Sequence, residues 1–147
     1  MKNAFIRPIV LALALATAAC GGSDSSTTTA PTTPSGPTTE LFEGKLQSRG
    51  DSTFFSFTVA TAGNVSVTLA SVTTATTPGS STNLPLGVGL GSPLATDCTV
   101  TSQTTTGPGL TSQLTGSNFS PAIYCVRVFD VGNLTVPINF AVRITHT

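Results

Sequence analysis

Few residues of this sequence could do chemistry, and the three cysteines, Cys20, Cys98 and Cys125, come first among them. A thiol can take up a lipid, form a disulfide or bind a metal ion. A thiolate metal site needs more ligands than two separated cysteines supply, and the one histidine, His146, stands next to the C-terminal residue. We therefore expect no metal site and no cofactor, and we interpret each cysteine from its surroundings.

Cys20 follows a segment that has the three parts of an export signal. Two basic residues, Lys2 and Arg7, lie close to the N-terminus. The apolar run from Ile9 to Ala19 is shorter than the roughly 20 residues that a membrane-spanning helix needs, and it ends in small residues. The sequence therefore predicts a secretory signal peptide over residues 1–19.

The residues around Cys20 resemble the lipobox of bacterial lipoproteins, in which the cysteine thiol receives a diacylglycerol group and becomes the mature N-terminus. Thr17 stands where that pattern usually has Leu, and the alternative is an ordinary signal peptide followed by a chance cysteine. The resemblance implies attachment to a lipid bilayer through Cys20, with acyl chains such as palmitate. Because Gly21 rather than Asp follows the cysteine, it also implies a location in the bacterial cell envelope at the outer membrane.

The stretch from Gly21 to Thr39 contains no large apolar side chain and one charged residue, Asp24. Such a composition cannot bury enough apolar surface to offset the entropy lost on ordering. We therefore predict that residues 20–39 form the lipidated cysteine and a disordered linker rich in Thr, Pro, Ser and Gly. This linker would hold a domain at a distance from the bilayer.

Residues 40–147 have the length of one domain, and their charge excludes one class of partner. The whole chain is 8% charged. After residue 19 the acidic side chains outnumber the basic ones, which are Lys45, Arg49, Arg127 and Arg143. A nucleic-acid-binding domain needs a basic face, so we expect no nucleic-acid partner.

Apolar residues recur at every second position in several segments after residue 40, and turn-forming Gly, Pro and Asn residues separate these segments. Both features are typical of strands. The clearest strands are predicted at Ser52–Val59, Val65–Leu69, Leu84–Leu90, Ile123–Phe129 and Ile138–Thr145, with weaker ones at Phe42–Gln47, Asp97–Thr101 and Leu110–Leu114. About eight strands at this spacing predict an all-β fold, an antiparallel β-sandwich.

Cys98 and Cys125 remain once Cys20 has been assigned to a lipid. Exported proteins enter an oxidising compartment, and an even number of cysteines favours pairing there. We therefore predict a disulfide between Cys98 and Cys125. A metal–thiolate site and a pair of free buried thiols are the alternatives.

The runs Gly44–Leu46, Gly50–Val59 and Gly63–Leu69 resemble the opening of bacterial pre-peptidase C-terminal domains, which reads G-x-L, G-x-x-D-x-F-x-F-x-V and G-x-V-x-V-x-L. Ala122–Asp130 and Phe140–Ile144 are similar to later strands of that family. The resemblance extends over about residues 42 to 146. It implies a jelly-roll-like β-sandwich of the kind appended to secreted peptidases.

Some members of that family bind calcium through acidic residues, and some bind collagen-like or carbohydrate polymers. The segment Asn83–Gly87 stands where the family has acidic strand residues, and it contains no Asp. Since Ca²⁺ takes six to eight oxygen ligands with several carboxylates among them, we expect no calcium site here.

Residues that could serve catalysis are sparse. The carboxylates Asp51, Asp97 and Asp130 could in principle form a glycosidase pair, but each stands beside a predicted turn or strand end, where acidic residues are common caps. His146 is expected to be exposed at the C-terminus. The sequence contains no G-x-S-x-G motif. We therefore expect no enzymatic activity and assign no catalytic residue.

Arg127 and Arg143 lie within predicted strands, where we expect them to face solvent and pair with acidic residues; contact with an anion or a glycan is the alternative. The sequence thus favours a secreted, lipid-anchored envelope protein whose sandwich is a non-catalytic interaction module for a protein or polysaccharide partner. The predicted loops Ser71–Asn83 and Ser102–Gly109 would be its variable surface. The alternatives are a structural envelope lipoprotein without a ligand and, last, an accessory carbohydrate-binding or hydrolase-associated module.

Overall fold

A computed structural model describes residues 36–75 and 80–147. The predicted signal peptide, Cys20 and the linker as far as residue 35 lie outside the described residues. All eight strands belong to one unit. They are β1 (Thr38–Leu46), β2 (Ser52–Val59), β3 (Gly63–Thr74), β4 (Leu86–Leu94), β5 (Asp97–Thr106), β6 (Leu114–Phe119), β7 (Ala122–Phe129) and β8 (Ile138–His146). No helix that could span a membrane is found in the described ranges.

The strands form two antiparallel sheets of four. Sheet A has the order β1-β8-β3-β6, and sheet B has the order β2-β7-β4-β5. Four of the pairs are nested in the chain: first with last, second with seventh, third with sixth, and fourth with fifth. The chain is thus one long antiparallel ribbon, rolled up so that β8 also pairs with β3 and β7 with β4. This is the strand order of a jelly roll, and it confirms the predicted all-β sandwich.

The alternating apolar residues make the core between the sheets. Along β8, every second residue from Ile138 to His146 is buried, and the residues between them are more exposed. Because successive side chains of a strand point to opposite faces, this places one row against the other sheet. The opposing rows of sheet B include Phe57, Val88, Leu90, Val126 and Val128, all buried.

Several predicted boundaries were wrong in the threonine-rich segments. β3 continues to Thr74 and β5 to Thr106, so parts of both predicted variable loops are strand. β1 begins at Thr38, inside the predicted linker. These residues carry hydroxyls on both faces of a strand, so an apolar/polar alternation could not reveal them, although Thr has a high β propensity.

The segment Leu110–Leu114 was predicted as a strand, but β6 begins only at Leu114. Instead, residues 107–113 lie along β3. The Gly109 N–H donates to the Leu69 carbonyl at 2.9 Å, and the Gln113 N–H donates to the Val67 carbonyl at 3.0 Å. The segment therefore satisfies part of the edge of β3 without forming a regular ladder.

The Gln113 side chain completes this contact with β3. Its Oε1 accepts a hydrogen bond from the Leu69 N–H at 2.7 Å, and its Nε2 donates to the Leu69 carbonyl at 3.5 Å. A side-chain amide thus pairs with one strand residue as a neighbouring peptide group would. This fixes the position of the preceding loop over sheet A.

One end of the sandwich, here called the proximal end, consists of the turns at residues 60–62, 95–96 and 120–121 together with residues 36–38 and 147. The registers bring these together, since Thr38 pairs with His146 and Val59 pairs with Ala122. The Ala60 N–H donates to the Thr147 carbonyl at 3.2 Å and links the two sheets there. The far end holds the turn at residues 47–51 and the connection at residues 130–137.

Candidate functional site

The predicted disulfide is confirmed: Cys98 at the start of β5 is bonded to Cys125 on β7, with a Cα–Cα distance of 5.9 Å. β4 lies between these two strands in sheet B, and its Gly91 pairs with Cys125. The first residues of β5 therefore fold over β4. A Cβ atom at Gly91 would collide with the Thr99 carbonyl, so this crossing requires glycine.

The Asp130 carboxylate is buried at the far end and serves structure. Its Oδ2 accepts hydrogen bonds from the N–H groups of Gly50 and Gly132, and its Oδ1 accepts from those of Asn133 and Leu134. Burial alone raises the pKa of the Asp130 carboxyl, but these four hydrogen bonds lower it, and the net pKa lies below its ordinary value. The carboxylate thus fastens two segments in its ionised form.

The other two candidate carboxylates also accept backbone N–H groups. Asp51 accepts from Gln47 at 2.8 Å and from Ser52 at 2.9 Å. Asp97 accepts from Cys98 at 2.8 Å. Asp51 and Asp97 therefore cap backbone N–H groups beside turns, which is the role that the sequence favours.

Arg127 lies on β7 and faces away from the core, as predicted. Its guanidinium donates to the Ser52 Oγ at 3.0 Å and lies 3.5 Å from the Asp97 carboxylate. Both members of this ion pair are partly exposed, so the pair adds little to stability. It links β7 to the start of β5 and to the start of β2.

The prediction for His146 was wrong, because this side chain is only 4% exposed. The inward alternation of β8 continues to its last residue, and the imidazole closes the core 5.2 Å from the Phe57 ring, between centroids. Its Nε2 lies 2.8 Å from the Glu40 Oε1. The pair therefore joins the end of β8 to the start of β1.

A cleft of about 460 Å³ opens beside this pair, between the edge strands β1 and β2. Its lining includes Glu40, Phe57 and His146 together with threonine hydroxyls. The His146 Nδ1 is buried and has no hydrogen-bond partner among the described residues. The imidazole is thus paired with a carboxylate, and no serine or threonine hydroxyl of the described residues is hydrogen-bonded to it.

A second surface lies on the outer side of sheet A and is here called the Arg143 face: Leu41, Arg143 and Leu110. Arg143 is paired in register with Leu41 on β1 and with Thr68 on β3. Its guanidinium donates to the Leu110 carbonyl at 2.9 Å rather than to the acidic partner that was predicted. The two leucine side chains are 60% and 89% exposed.

The Arg143 face has polar surroundings along β1: exposed Glu43 and Lys45 lie on one side of Leu41, and threonine hydroxyls lie on the other. Thr39 on β1 and Thr145 on β8 are paired in register, and their Oγ1 atoms lie 3.1 Å apart. Arginine beside exposed apolar side chains, with polar residues around them, is a composition found at protein–protein interfaces. Periodicity predicted Leu110 as part of a strand and so missed its exposure on a loop.

No group of three or more His, Cys, Asp or Glu residues that could hold a metal ion is found within residues 36–75 and 80–147. Searches against models of protein families and against curated proteins found no match for the chain. The lipobox at Cys20 and the likeness to pre-peptidase C-terminal domains therefore stay predictions.

Proposed function

We propose that the chain is an exported bacterial envelope protein, anchored to lipid through Cys20, whose jelly-roll domain binds a protein partner through the Arg143 face. The domain acts as an interaction module and carries out no reaction. The outer membrane is the proposed location.

The disulfide supports export. Disulfides persist in oxidising compartments and are rare in the bacterial cytosol. The Cys98–Cys125 bond joins two strands and holds the crossing over Gly91, so it is part of the architecture of sheet B. The export signal predicted over residues 1–19 accounts for the compartment that such a bond needs.

The exposed Leu110, fastened in place, is the observation that carries the binding proposal. Its loop is bonded to β3 through Gly109 and Gln113, and its own carbonyl accepts from Arg143. Because the backbone that carries Leu110 is already held, little backbone entropy is lost when a partner covers this side chain. Arg143 and Leu41 extend the same surface toward β1.

Site-specific photo-crosslinking in the native host tests the binding proposal. A photoreactive residue at Leu110 or at Leu41 should give the same discrete adduct. The same residue at Gln103, which is exposed on β5 of the other sheet, is the matched control and should not give that adduct. If neither leucine position gave a discrete adduct, or if position 103 gave the same adduct, the result would favour a structural protein without a specific partner.

Mass spectrometry of the mature N-terminus tests the anchor separately. We expect a first residue Cys20 that carries acyl chains. The Cys20→Ser variant should move from the membrane fraction to the soluble fraction. An unmodified N-terminus at or after residue 20 would refute the anchor. The binding proposal would be unaffected, because the crosslinking experiment tests it separately.

A further inference from the structure

The geometry points to a docking surface for lipid: the proximal end of the sandwich rests on the bilayer, with Leu94 and Ile123 in contact with the headgroup region. The inference rests on the proposed anchor at Cys20. It adds an orientation, in which the domain stands on its proximal end and the Arg143 face stays open to a partner.

Two of the most exposed apolar side chains of the described residues lie at this end. Leu94 is 67% exposed and Ile123 is 57% exposed. Leu94 ends β4 and pairs with Asp97 across the turn. Ile123 lies at the start of the adjacent strand β7, two residues before Cys125, which pairs with Gly91 of β4. The topology therefore puts both side chains at the same end of two neighbouring strands.

The turns of the proximal end contain no charged residue: they read Ala60-Thr61-Ala62, Ala95-Thr96 and Ser120-Pro121. The charged side chains nearest to them are Glu40, which is paired with His146, and Asp97, which lies 3.5 Å from the Arg127 guanidinium and is 65% exposed. Because burying a charge is costly, Leu94 and Ile123 would contact the headgroup region while the Asp97 carboxylate stays in water. The far end differs, because its turn at residues 47–51 contains Arg49 and Asp51.

The point at which the chain enters the domain favours lipid as the partner of this surface. Gly36 and Pro37 lead into β1 at Thr38, so the segment that comes from Cys20 joins the domain at the proximal end. Two aliphatic side chains bind a bilayer only weakly by themselves. The tether of residues 21–37 allows the domain to stand away from the bilayer, but it also raises the effective concentration of the surface to about the millimolar range, where a weak contact becomes populated.

The absence of tryptophan from the sequence provides a direct test. The mature chain, residues 20–147, is coupled through the Cys20 thiol to phosphatidylcholine vesicles that contain a maleimide lipid; Cys98 and Cys125 are protected by their disulfide. Leu94→Trp and Ile123→Trp each introduce a single fluorophore. Leu110→Trp is the matched control, exposed but outside the proximal end.

Coupling should shift the emission of Leu94→Trp and Ile123→Trp to shorter wavelength, and brominated phosphatidylcholine should quench both. The emission wavelength of Leu110→Trp should be the same after coupling as it is in solution. Because the contact is apolar and the nearest exposed charge, Asp97, is acidic, added salt should not abolish the shift and phosphatidylglycerol should not increase it.

Emission at residues 94 and 123 that stays as in solution after coupling would overturn the inference. So would a shift that grows with protein concentration without vesicles, since a second copy would then be the occupant. The tether is made chemically in this experiment, so its outcome is independent of whether cells lipidate Cys20, which mass spectrometry decides.

Discussion

The Asp130 carboxylate accepts a hydrogen bond at 2.9 Å from the backbone N–H of Gly50, which lies 80 positions earlier in the chain. The backbone of Asp130 makes a second link to the same turn, because its N–H donates to the Asp51 carbonyl at 2.9 Å. One residue therefore ties the β1–β2 turn to the connection that leads from sheet B into sheet A. These contacts hold the nested pairs β1–β8 and β2–β7 in register at the far end.

Replacing this carboxylate should destabilise the fold. In Asp130→Asn one oxygen is lost, and the amide NH₂ then faces N–H donors of Gly50 and Gly132. We expect the free energy of unfolding in urea to fall by about 2–3 kcal/mol. Asp97→Asn is the control, since Asp97 is exposed and should change stability by less than about 0.5 kcal/mol. Equal losses in the two variants would contradict the role of Asp130.

The lowered pKa of Asp130 predicts a loss of stability in acid. A carboxyl whose pKa is lower in the folded state contributes stability above its unfolded pKa, about 3.9, and loses it as the pH falls through the lower folded pKa. Urea unfolding between about pH 5 and 2 should therefore show a weaker pH dependence for Asp130→Asn than for the wild type. Parallel curves would show that Asp130 does not titrate differently on folding.

Much of the fold could be predicted because burial imposes a period of two. Segments such as Ser52–Val59 and Ile123–Phe129 carry apolar residues on the buried face, and the strands found there differ by no more than one residue. The disulfide could be predicted because two cysteines remain after Cys20 and the sequence predicts export to an oxidising compartment. The nested pairing order needs contacts between residues far apart in the chain, which periodicity does not encode.

The site was harder to predict, because its features depend on tertiary contacts. The exposure of Leu110 depends on a loop held by Gln113, a side chain acting as a strand partner. The burial of His146 depends on Glu40 and Phe57 from two other strands. The burial of a residue near a chain end cannot be predicted from its type alone, because it depends on which strands lie beside it.

Removing the disulfide should lower stability through the unfolded chain. Cys98 and Cys125 are 27 positions apart, and loop closure of this length accounts for about 3 to 4 kcal/mol. Cys98→Ser combined with Cys125→Ser should lower the free energy of unfolding by about that amount. Reducing agent should destabilise the wild type to a similar extent and leave the double variant unaffected; an equal response in both would contradict the prediction.

Gly91 should not tolerate a side chain, because its Cβ would meet the Thr99 carbonyl where β5 crosses β4. Backbone cannot give way there without disturbing the disulfide. We expect Gly91→Ala to cost about 3 kcal/mol in thermal or urea unfolding. Gly36→Ala is the matched control, since no atom lies within 4 Å of its Cβ position, and it should be neutral within about 0.5 kcal/mol.

His146 should contribute to stability as a core residue despite its place next to the C-terminus. His146→Ala removes the ring that packs on Phe57 and leaves Glu40 without its partner, so we expect a loss of about 2–3 kcal/mol in the free energy of unfolding. Thr145→Ala, one residue earlier on the outer face, should cost less than about 0.5 kcal/mol. Hydrogen exchange should locate the loss, with faster exchange in the first residues of β1, which the imidazole holds through Glu40. If Thr145→Ala and His146→Ala were equally mild, the imidazole would contribute little to the core and would not hold the start of β1.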